Sequence, residues 1–301
     1  MKYIINGRCT VCPRGCLADR ERTTGFCGYP KSAYIARASI HYWEEPCLSG
    51  GCGSGTVFFS GCNLGCVFCQ NEQISHHHNR LAGTGMTVSD MADLFLHLQE
   101  MGVNNINLVS ATHFTPVVRE TLAVVKPLLH IPVVWNSGGY EKAEVIRELE
   151  GLVDIFLPDI KYYSPVLSAK YSSAPDYFTV AAAAVAEMLR QQPEAVFSGG
   201  LMLKGVIIRH LVLPNHTLDS IKILDQIKER FGTEVTISLM SQYLPKGLAA
   251  DYPELNRRLY RKEYKRVRDY LELSGFGNGY LQEMDSASSD YIPDFSDAGL
   301  L

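Results

Sequence analysis

Apolar runs alternate along the chain with longer segments in which apolar residues recur at helical spacing. Beyond residue 54, six runs rich in Val, Ile, Leu and Phe predict β-strands: 56–60, 105–110, 131–136, 153–161, 205–213 and 234–240. Because these runs are apolar almost throughout, rather than at every second position, they are typical of parallel strands covered on both faces.

Helix signals fill the segments between the predicted strands. Thr87 has the position of an N-cap, with Asp90 three residues later and Gly102 as a stop signal. Further helical patterns lie near 115–127, 141–150, 176–192 and 216–230. Repeated β–α units predict an α/β fold with a parallel sheet. The pattern leaves an open partial barrel and a doubly wound sheet as alternatives, and both carry their chemistry at the C-terminal ends of the strands.

The N-terminal part of the chain differs from the rest. Residues 1–54 are rich in Cys, Gly, Arg and Pro and show little periodicity, which predicts a Cys-rich, metal-binding extension before an α/β domain over 55–301. The α/β domain ends in a predicted helix with seven Lys and Arg, interpreted as a solvated face or a basic docking patch. One face of that helix would carry Tyr260, Tyr264, Val267 and Leu271.

Composition and charge narrow the class of protein. The chain has 301 residues, 46% of them hydrophobic and 20% charged, and a net charge of −4, which argues against a general nucleic-acid binder. Its most apolar stretch, 177–189, carries Glu187 and is shorter than the about 20 residues of a membrane span. We expect a cytoplasmic protein without membrane contact, in which nine cysteines indicate metal ligation rather than disulfides.

Three cysteines directly follow the first predicted strand. Cys62, Cys66 and Cys69 have C-x3-C-x2-C spacing and therefore lie in the first β–α loop. Three thiolates on a [4Fe–4S] cluster would leave one iron open to a small molecule. The alternative is a Cys3His zinc site completed by one residue of the run His76, His77 and His78, although such a run is more typical of a solvated loop.

A second cysteine group lies in the N-terminal extension. It has C-x2-C-x3-C-x10-C spacing and consists of Cys9, Cys12, Cys16 and Cys27. Four thiolates would close a zinc site, which we favour because the loop-rich segment needs stabilisation, whereas an auxiliary iron–sulfur cluster would serve electron transfer. Cys47 and Cys52 are interpreted as free thiols, with a redox or metal role as the alternative.

The first cysteine motif, with Phe68 before its last cysteine, resembles the signature of the radical S-adenosylmethionine (SAM) enzymes over roughly residues 55–245. The resemblance implies a partial (β/α)6 barrel and SAM bound to the open iron. It also implies reductive cleavage of SAM to a 5′-deoxyadenosyl radical that abstracts hydrogen. Segments such as "CPRGC", "GSGTVFFSGCNLGCVFCQN" and "IIRHLVLPNH" further resemble pyruvate formate-lyase activating enzyme-like proteins, in particular their PflX-type branch.

The resemblance also implies candidate SAM contacts in the loops after the second and third strands. Ser110 and Thr112 lie in "SATHF", where activating enzymes have Gly-Gly-Glu, and their hydroxyls could accept from the SAM ammonium. The adjacent His113 is interpreted equally as a loop residue or a site residue. Asn136 and Gly138 lie in "WNSGGYE", whose glycines allow close approach to a ligand, with a plain strand-to-helix turn as the alternative.

Charged residues mark the ends of the next two predicted strands. Asp159 and Lys161 leave the same face of a strand and must pair with each other or serve a ligand; the resemblance implies that they lie near SAM. Arg209 and His210 face opposite ways, and the resemblance favours Arg209 as the ligand of a carboxylate, with His210 in the core. After the sixth strand, Gln242 and Tyr243 are candidates for the cavity mouth.

The leading hypothesis is a radical SAM oxidoreductase that activates a glycyl-radical-type partner protein and receives electrons from a flavodoxin- or ferredoxin-like donor. One alternative is radical chemistry directly on a small metabolite, a peptide or RNA. Another is a non-catalytic protein that binds an iron–sulfur cluster or zinc. The charged residues at the strand ends argue against this last alternative, because a metal carrier does not need them.

Overall fold

The computed structural model describes residues 3–5, 7–75, 82–287, 293 and 295, so the interpretation of the histidines at 76–78 lies outside the described residues. The strands are β1 (Ile4–Ile5), β2 (Arg8–Cys9), β3 (Ala33–His41), β4 (Ser54–Phe59), β5 (Thr84–Met86), β6 (Ile106–Val109), β7 (Val133–Ser137), β8 (Ile155–Pro158), β9 (Val196–Ser198), β10 (Leu201–Leu211), β11 (Thr236–Met240) and β12 (Gly279–Leu281). The helices are α1 (Pro46–Ser49), α2 (Glu72–Ser75), α3 (Val88–Glu100), α4 (Thr115–Val125), α5 (Ala143–Arg147), α6 (Pro165–Ser172), α7 (Tyr177–Gln191), α8 (Thr217–Phe231) and α9 (Arg261–Leu273).

One mostly parallel sheet forms the centre of the fold. Within the described ranges, ten strands join it in the order β12-β11-β10-β8-β7-β6-β4-β3-β5, with β9 paired to β10. The neighbours from β4 to β12 in this order pair in parallel, whereas β3 pairs antiparallel with both β4 and β5, and β9 pairs antiparallel with β10. The prediction of an α/β fold of the partial (β/α)6 barrel type is confirmed, because β4, β6, β7, β8, β10 and β11 are neighbours in chain order.

The N-terminal segment contributes a strand that the sequence pattern did not predict. The strand β3 has nine residues; those from Ile35 onward pair with β4, and a register irregularity between Ile35 and Arg37 interrupts the alternation of side chains. That irregularity removes the period by which a strand is recognised. The division of the chain at residue 54 stays a prediction, but the segment before it shares the sheet of the barrel.

Most of the predicted helices are present. Thr87 caps α3 in a reciprocal capping box with Asp90, as predicted. The helix expected over 141–150 is shorter, because α5 covers only Ala143–Arg147, and α6 was not predicted. In α9, Tyr264, Val267 and Leu271 are buried at helical spacing, whereas Tyr260 is the residue before the helix and is exposed.

Side chains on the two faces of each strand pack into different layers of the fold. Trp135, Phe156 and Ile208 point outward into the main hydrophobic core under the helices. Val134 and Ile207 point inward, where Leu48 of α1 packs against them. The lower half of the barrel interior is therefore filled with apolar groups, which leaves the upper half, at the C-terminal ends of the strands, for polar side chains.

A buried carboxylate fixes the loops after β6 and β7 against each other. The Oε1 atom of Glu141 accepts hydrogen bonds from Thr112 Oγ1 at 2.8 Å and Trp135 Nε1 at 2.9 Å. Its Oε2 atom accepts from Ser137 Oγ at 2.5 Å. Burial raises the pKa of Glu141, and these three donors act against that rise. The network holds both loops at the edge of the sheet where the polar residues collect.

We predict that Glu141→Gln destabilises the fold, because the amide nitrogen cannot accept the hydrogen bonds that one carboxylate oxygen accepts. The free energy of unfolding should fall by about 1–3 kcal/mol, measured by urea denaturation. Glu144→Gln, at an exposed position of α5, is the matched control and should change it by less than about 0.5 kcal/mol. Equal losses in the two variants would contradict the role given to the buried network.

Candidate active site

A cavity of about 210 Å³ opens at the C-terminal edge of the parallel strands. Residues from successive strand ends line it, which follows from the parallel topology. The cysteine loop after β4 supplies one wall. The other predicted residues that line it are Phe68, Ser110, Asn136, Gly138, Asp159, Lys161, Arg209 and Gln242.

The three cysteines of this wall all reach the cavity. Donors point at each sulfur: Leu64 N at 3.3 Å from Cys62 Sγ, Ser172 Oγ at 3.2 Å from Cys66 Sγ, and Ser75 Oγ at 3.2 Å from Cys69 Sγ. Hydrogen bonds to sulfur stabilise thiolates over thiols.

Burial disfavours the free ionised state of two of these sulfurs, those of Cys66 and Cys69. Burial raises the pKa of Cys69 to about 12, and the neighbouring Cys62 and Cys66 raise it further. Burial also raises the pKa of Cys66, although Lys161 acts in the opposite direction. Thiolates in such surroundings need a cationic partner. Three thiols that line one cavity, each with a donor at its sulfur, fit an iron–sulfur cluster with one side open to the cavity.

Phe68 has a supporting position in the cysteine loop. Its ring makes edge contacts with Tyr162 at 6.2 Å and Tyr243 at 5.9 Å between centroids. Tyr243 is buried behind the loop, where its hydroxyl donates to Leu255 O at 2.8 Å. Of the two residues predicted for the mouth, Gln242 lines the cavity and Tyr243 does not, because consecutive residues after β11 point to opposite sides.

Arg209 is the centre of a buried polar network inside the barrel. Its Nε donates to Asp159 Oδ1 at 3.0 Å, its Nη2 to Asn136 Oδ1 at 2.5 Å, and its Nη1 to Glu44 Oε2 at 3.3 Å. Burial opposes the guanidinium charge, but Asp159, Glu45 and Glu44 outweigh it and raise the pKa of Arg209.

Lys161 and Asp159 form an ion pair, as one of the two interpretations of these residues predicted. Both residues also line the cavity. Burial works against the charge of Asp159, yet Lys161 and Arg209 outweigh it and lower the pKa of the carboxyl group. His210 points away from the cavity, with its ring nitrogens at 2.7 Å from Ile160 O and 2.8 Å from Ser220 Oγ. Strand alternation therefore places Arg209 inside the barrel and His210 outside.

Glu44 is a cavity residue that the sequence did not reveal. It lies between β3 and α1, and its Oε1 accepts from Asn107 Nδ2 at 2.8 Å and Asn136 Nδ2 at 3.2 Å. Burial raises the pKa of Glu44, and Arg209 lowers it. The adjacent Trp43 lines the cavity mouth and is 55% exposed. In the sequence, Glu44 could be noticed only as one of two glutamates before a proline. No local pattern connects these glutamates to strand ends far along the chain.

Some residues of the "SATHF" segment (110–114) lie at the cavity and others lie in the core. Ser110 lines the cavity with a left-handed φ of 62°, a conformation that non-glycine residues adopt only where the surroundings enforce it. Thr112 does not line the cavity, because its hydroxyl is used by Glu141. His113 is buried, with Nε2 at 2.8 Å from Ser60 O, and borders a different cavity.

The structure brings the four N-terminal cysteines together, away from this cavity. Burial raises the pKa of Cys12 to about 12, and each of the other three thiols adds to the rise. The sulfurs of Cys16 and Cys27 lie 3.0 Å and 3.8 Å from the point where a Cβ on Gly25 would be. Among the described residues, no three His, Cys, Asp or Glu side chains are grouped closely enough to hold one metal ion. Cys47 is buried and Cys52 exposed, and neither lines the cavity of Cys62.

Comparisons with known proteins agree with this geometry. The Radical SAM superfamily profile matches residues 56–224. A protein of Methanocaldococcus jannaschii described as "Uncharacterized protein MJ0674" is 34% identical over 278 residues, which cover 88% of this chain and 74% of that protein.

Two solved structures share the fold. Streptococcus suis SuiB bound to S-adenosylmethionine has a TM-score of 0.51 at 14% identity, with 76% of this chain and 50% of SuiB covered. The FeFe-hydrogenase maturase HydG from Carboxydothermus hydrogenoformans has a TM-score of 0.51 at 15% identity, with 77% of this chain and 54% of HydG covered. This chain spans about half the length of each of these two proteins.

The fold and the site define the class of protein as a partial (β/α)6 barrel with three cysteines in the loop after its first barrel strand, and the matching family profile agrees with this class. The chain belongs to the radical SAM superfamily. Membership implies a [4Fe–4S] cluster and SAM as cofactors and supports an enzyme. Within the ranges that the structure describes, no helix is both long and apolar enough to cross a membrane.

Gly139 is a position where the cavity loop requires glycine. Its φ is 76°, and a Cβ there would lie 2.1 Å from Asp159 O. Gly151 has φ of 78° with no atom within 4 Å, so it shares the backbone conformation without the clash.

We predict that Gly139→Ala destabilises the protein more than Gly151→Ala does. The left-handed conformation costs each variant about 1–2 kcal/mol, and the clash at Gly139 should add about 1–3 kcal/mol. Thermal and urea denaturation of the two variants measure the difference. Equal free energies of unfolding in the two variants would contradict the prediction, because the loop could then move away from Asp159 without loss of stability.

Proposed function

We propose that this chain is a radical SAM enzyme of the PflX-type, activating enzyme-like branch, and that it abstracts hydrogen from a glycyl-radical-type partner protein. The observation that carries the enzymatic part is the joint lining of one cavity by Cys62, Cys66 and Cys69 and by polar strand ends. When bound, the cluster and SAM supply a 5′-deoxyadenosyl radical. The electron donor is a protein of the flavodoxin or ferredoxin class.

Different residues of the chain have different roles in the cavity. The three thiolates hold the cluster, and their placement in one loop leaves the cavity side open. Lys161 and Arg209 offer positive charge to the SAM carboxylate, while Ser110 and Asn136 offer hydrogen-bonding groups. Because Arg209 is already held by Asp159 and Glu44, its guanidinium is positioned before a ligand arrives, which lowers the cost of ordering it.

A protein substrate is supported by the rim of the cavity and by the sequence resemblance. Tyr42 is 52% and Trp43 55% exposed, side by side at the end of β3, and Trp43 lines the mouth. Exposed aromatic residues are typical of surfaces that bind polypeptide.

The class of reaction is tested by anaerobic reconstitution with iron and sulfide, reduction with dithionite, and incubation with SAM. We expect 5′-deoxyadenosine from the wild type and none from the triple variant Cys62→Ala, Cys66→Ala, Cys69→Ala. Cys52→Ser, at an exposed position outside both cysteine groups, should match the wild type. A loaded wild-type cluster that neither binds nor cleaves SAM would contradict the proposal and favour a metal-carrying protein.

The partner is tested separately with glycyl-radical-type proteins encoded in the same genome. Each is mixed with the reduced enzyme and SAM, and a glycyl radical is sought by electron paramagnetic resonance. We expect the radical on one of them, in an amount that follows 5′-deoxyadenosine. A genome without such a protein, or 5′-deoxyadenosine formation without a radical on any of them, would reject this partner and favour a metabolite, a peptide or RNA as the substrate.

A further inference from the structure

We propose that Cys9, Cys12, Cys16 and Cys27 hold a second iron–sulfur centre, which packs directly against the loop of the first and passes single electrons to it. The electron-transfer part rests on the proposed function of Cys62, Cys66 and Cys69, whereas the presence of the second centre does not. Contacts between the two cysteine-bearing loops, a buried arginine and the exposure of one cysteine support the proposal.

Arg14 ties the two cysteine loops together. It lies between Cys12 and Cys16 in the chain, and its Nε donates to Asn63 O at 2.7 Å. Its Nη2 donates to Leu64 O at 2.7 Å and to Ser172 O at 2.6 Å. Asn63 and Leu64 lie between Cys62 and Cys66, and the hydroxyl of Ser172 donates to the sulfur of Cys66. One guanidinium therefore connects the second group to the loop and to a sulfur partner of the first.

The two groups also touch through the backbone. At Gly61, which directly precedes Cys62, a Cβ would lie 2.4 Å from Cys27 O, so the two main chains are in close contact. At Gly65, a Cβ would lie 3.3 Å from the Phe26 ring, and the guanidinium of Arg14 lies 3.8 Å from the centre of that ring. Cys27 of the second group thus contacts Gly61, the residue directly before Cys62.

Arg20 supplies a buried positive charge beside the second group. The side chain is only 7% exposed and donates to Tyr29 O, Pro30 O and His113 O, while Nη1 lies 3.9 Å from Cys9 Sγ. These carbonyls satisfy the donors of the guanidinium but do not neutralise its charge. A buried cation requires an anion, and thiolates bound to a metal centre provide one.

The position of the group favours an iron–sulfur cluster over the zinc that the sequence favoured. Zinc does not change its oxidation state, whereas an iron–sulfur cluster can pass an electron to the cysteine loop that Cys27 contacts at Gly61. Cys16 is exposed, so one side of the centre is within reach of an external donor.

The transfer step involves one electron and no bond change. A reduced donor of the flavodoxin or ferredoxin class gives one electron to the second centre at the side of Cys16. The same electron passes across the contact between Cys27 and Gly61 to the first centre. The donor is oxidised by one electron, the first centre is reduced by one, and no proton moves.

The presence of the second centre is tested in the triple variant Cys62→Ala, Cys66→Ala, Cys69→Ala, which leaves the N-terminal group intact. After anaerobic reconstitution we expect about four iron and four sulfide per chain, against about eight of each in the wild type and in Cys52→Ser. The quadruple Ser variant of the N-terminal cysteines should hold about four. Stoichiometric zinc with no iron in the triple variant, or about eight iron in the quadruple variant, would overturn the proposal.

The contact between the centres is tested by electron paramagnetic resonance of the fully reduced wild type. Two adjacent paramagnetic centres should broaden or split each other's signals, compared with the sum of the spectra of the triple and quadruple variants. Additive spectra at full iron loading would overturn the direct contact. About eight iron without 5′-deoxyadenosine would instead reject the proposed function and leave the second centre in place, so the two failures are distinguishable.

Discussion

The guanidinium of Arg209 joins four parts of the chain that are far apart in sequence. It lies in β10 and contacts Asp159 after β8, Asn136 in β7 and Glu44 before α1. Buried charges are unfavourable unless each is paired and hydrogen-bonded, so these groups hold one another in position. The cavity depends on this pairing, because removal of the guanidinium would leave Glu44 without its cation and Asp159 with Lys161 alone.

The cysteine loops meet a different constraint, which is to hold sulfur atoms in position for a metal centre although few of their residues belong to helices or strands. The chain meets it with backbone turns and contacts between loops. Gly61 and Gly65 adopt left-handed conformations around Cys62, and Arg14 donates to carbonyl groups of that loop from the N-terminal segment. The N-terminal segment is thus a support of the active-site wall as well as a carrier of cysteines.

Regular elements were predictable because their signals are local. The alternation of apolar runs and helical patterns gave the parallel sheet, and Thr87 with Asp90 gave the start of α3. Among the elements that escaped prediction, β3 has an interrupted period and α6 is short. The cysteine spacing and the charged residues at strand ends pointed to one edge of the sheet, because parallel strands end on the same side. Most of the residues proposed for the cavity do line it.

The sequence by itself determined the fold class, the superfamily and the edge of the sheet at which the chemistry lies, since periodicity and short motifs carry that information. Only the tertiary structure decided which neighbours share a site. It brought Glu44 to Arg209 across 165 positions of the chain, turned Thr112 and Tyr243 away from the cavity, and placed Cys27 against Gly61. These contacts follow from packing and charge pairing between distant segments, and no local pattern encodes such pairing.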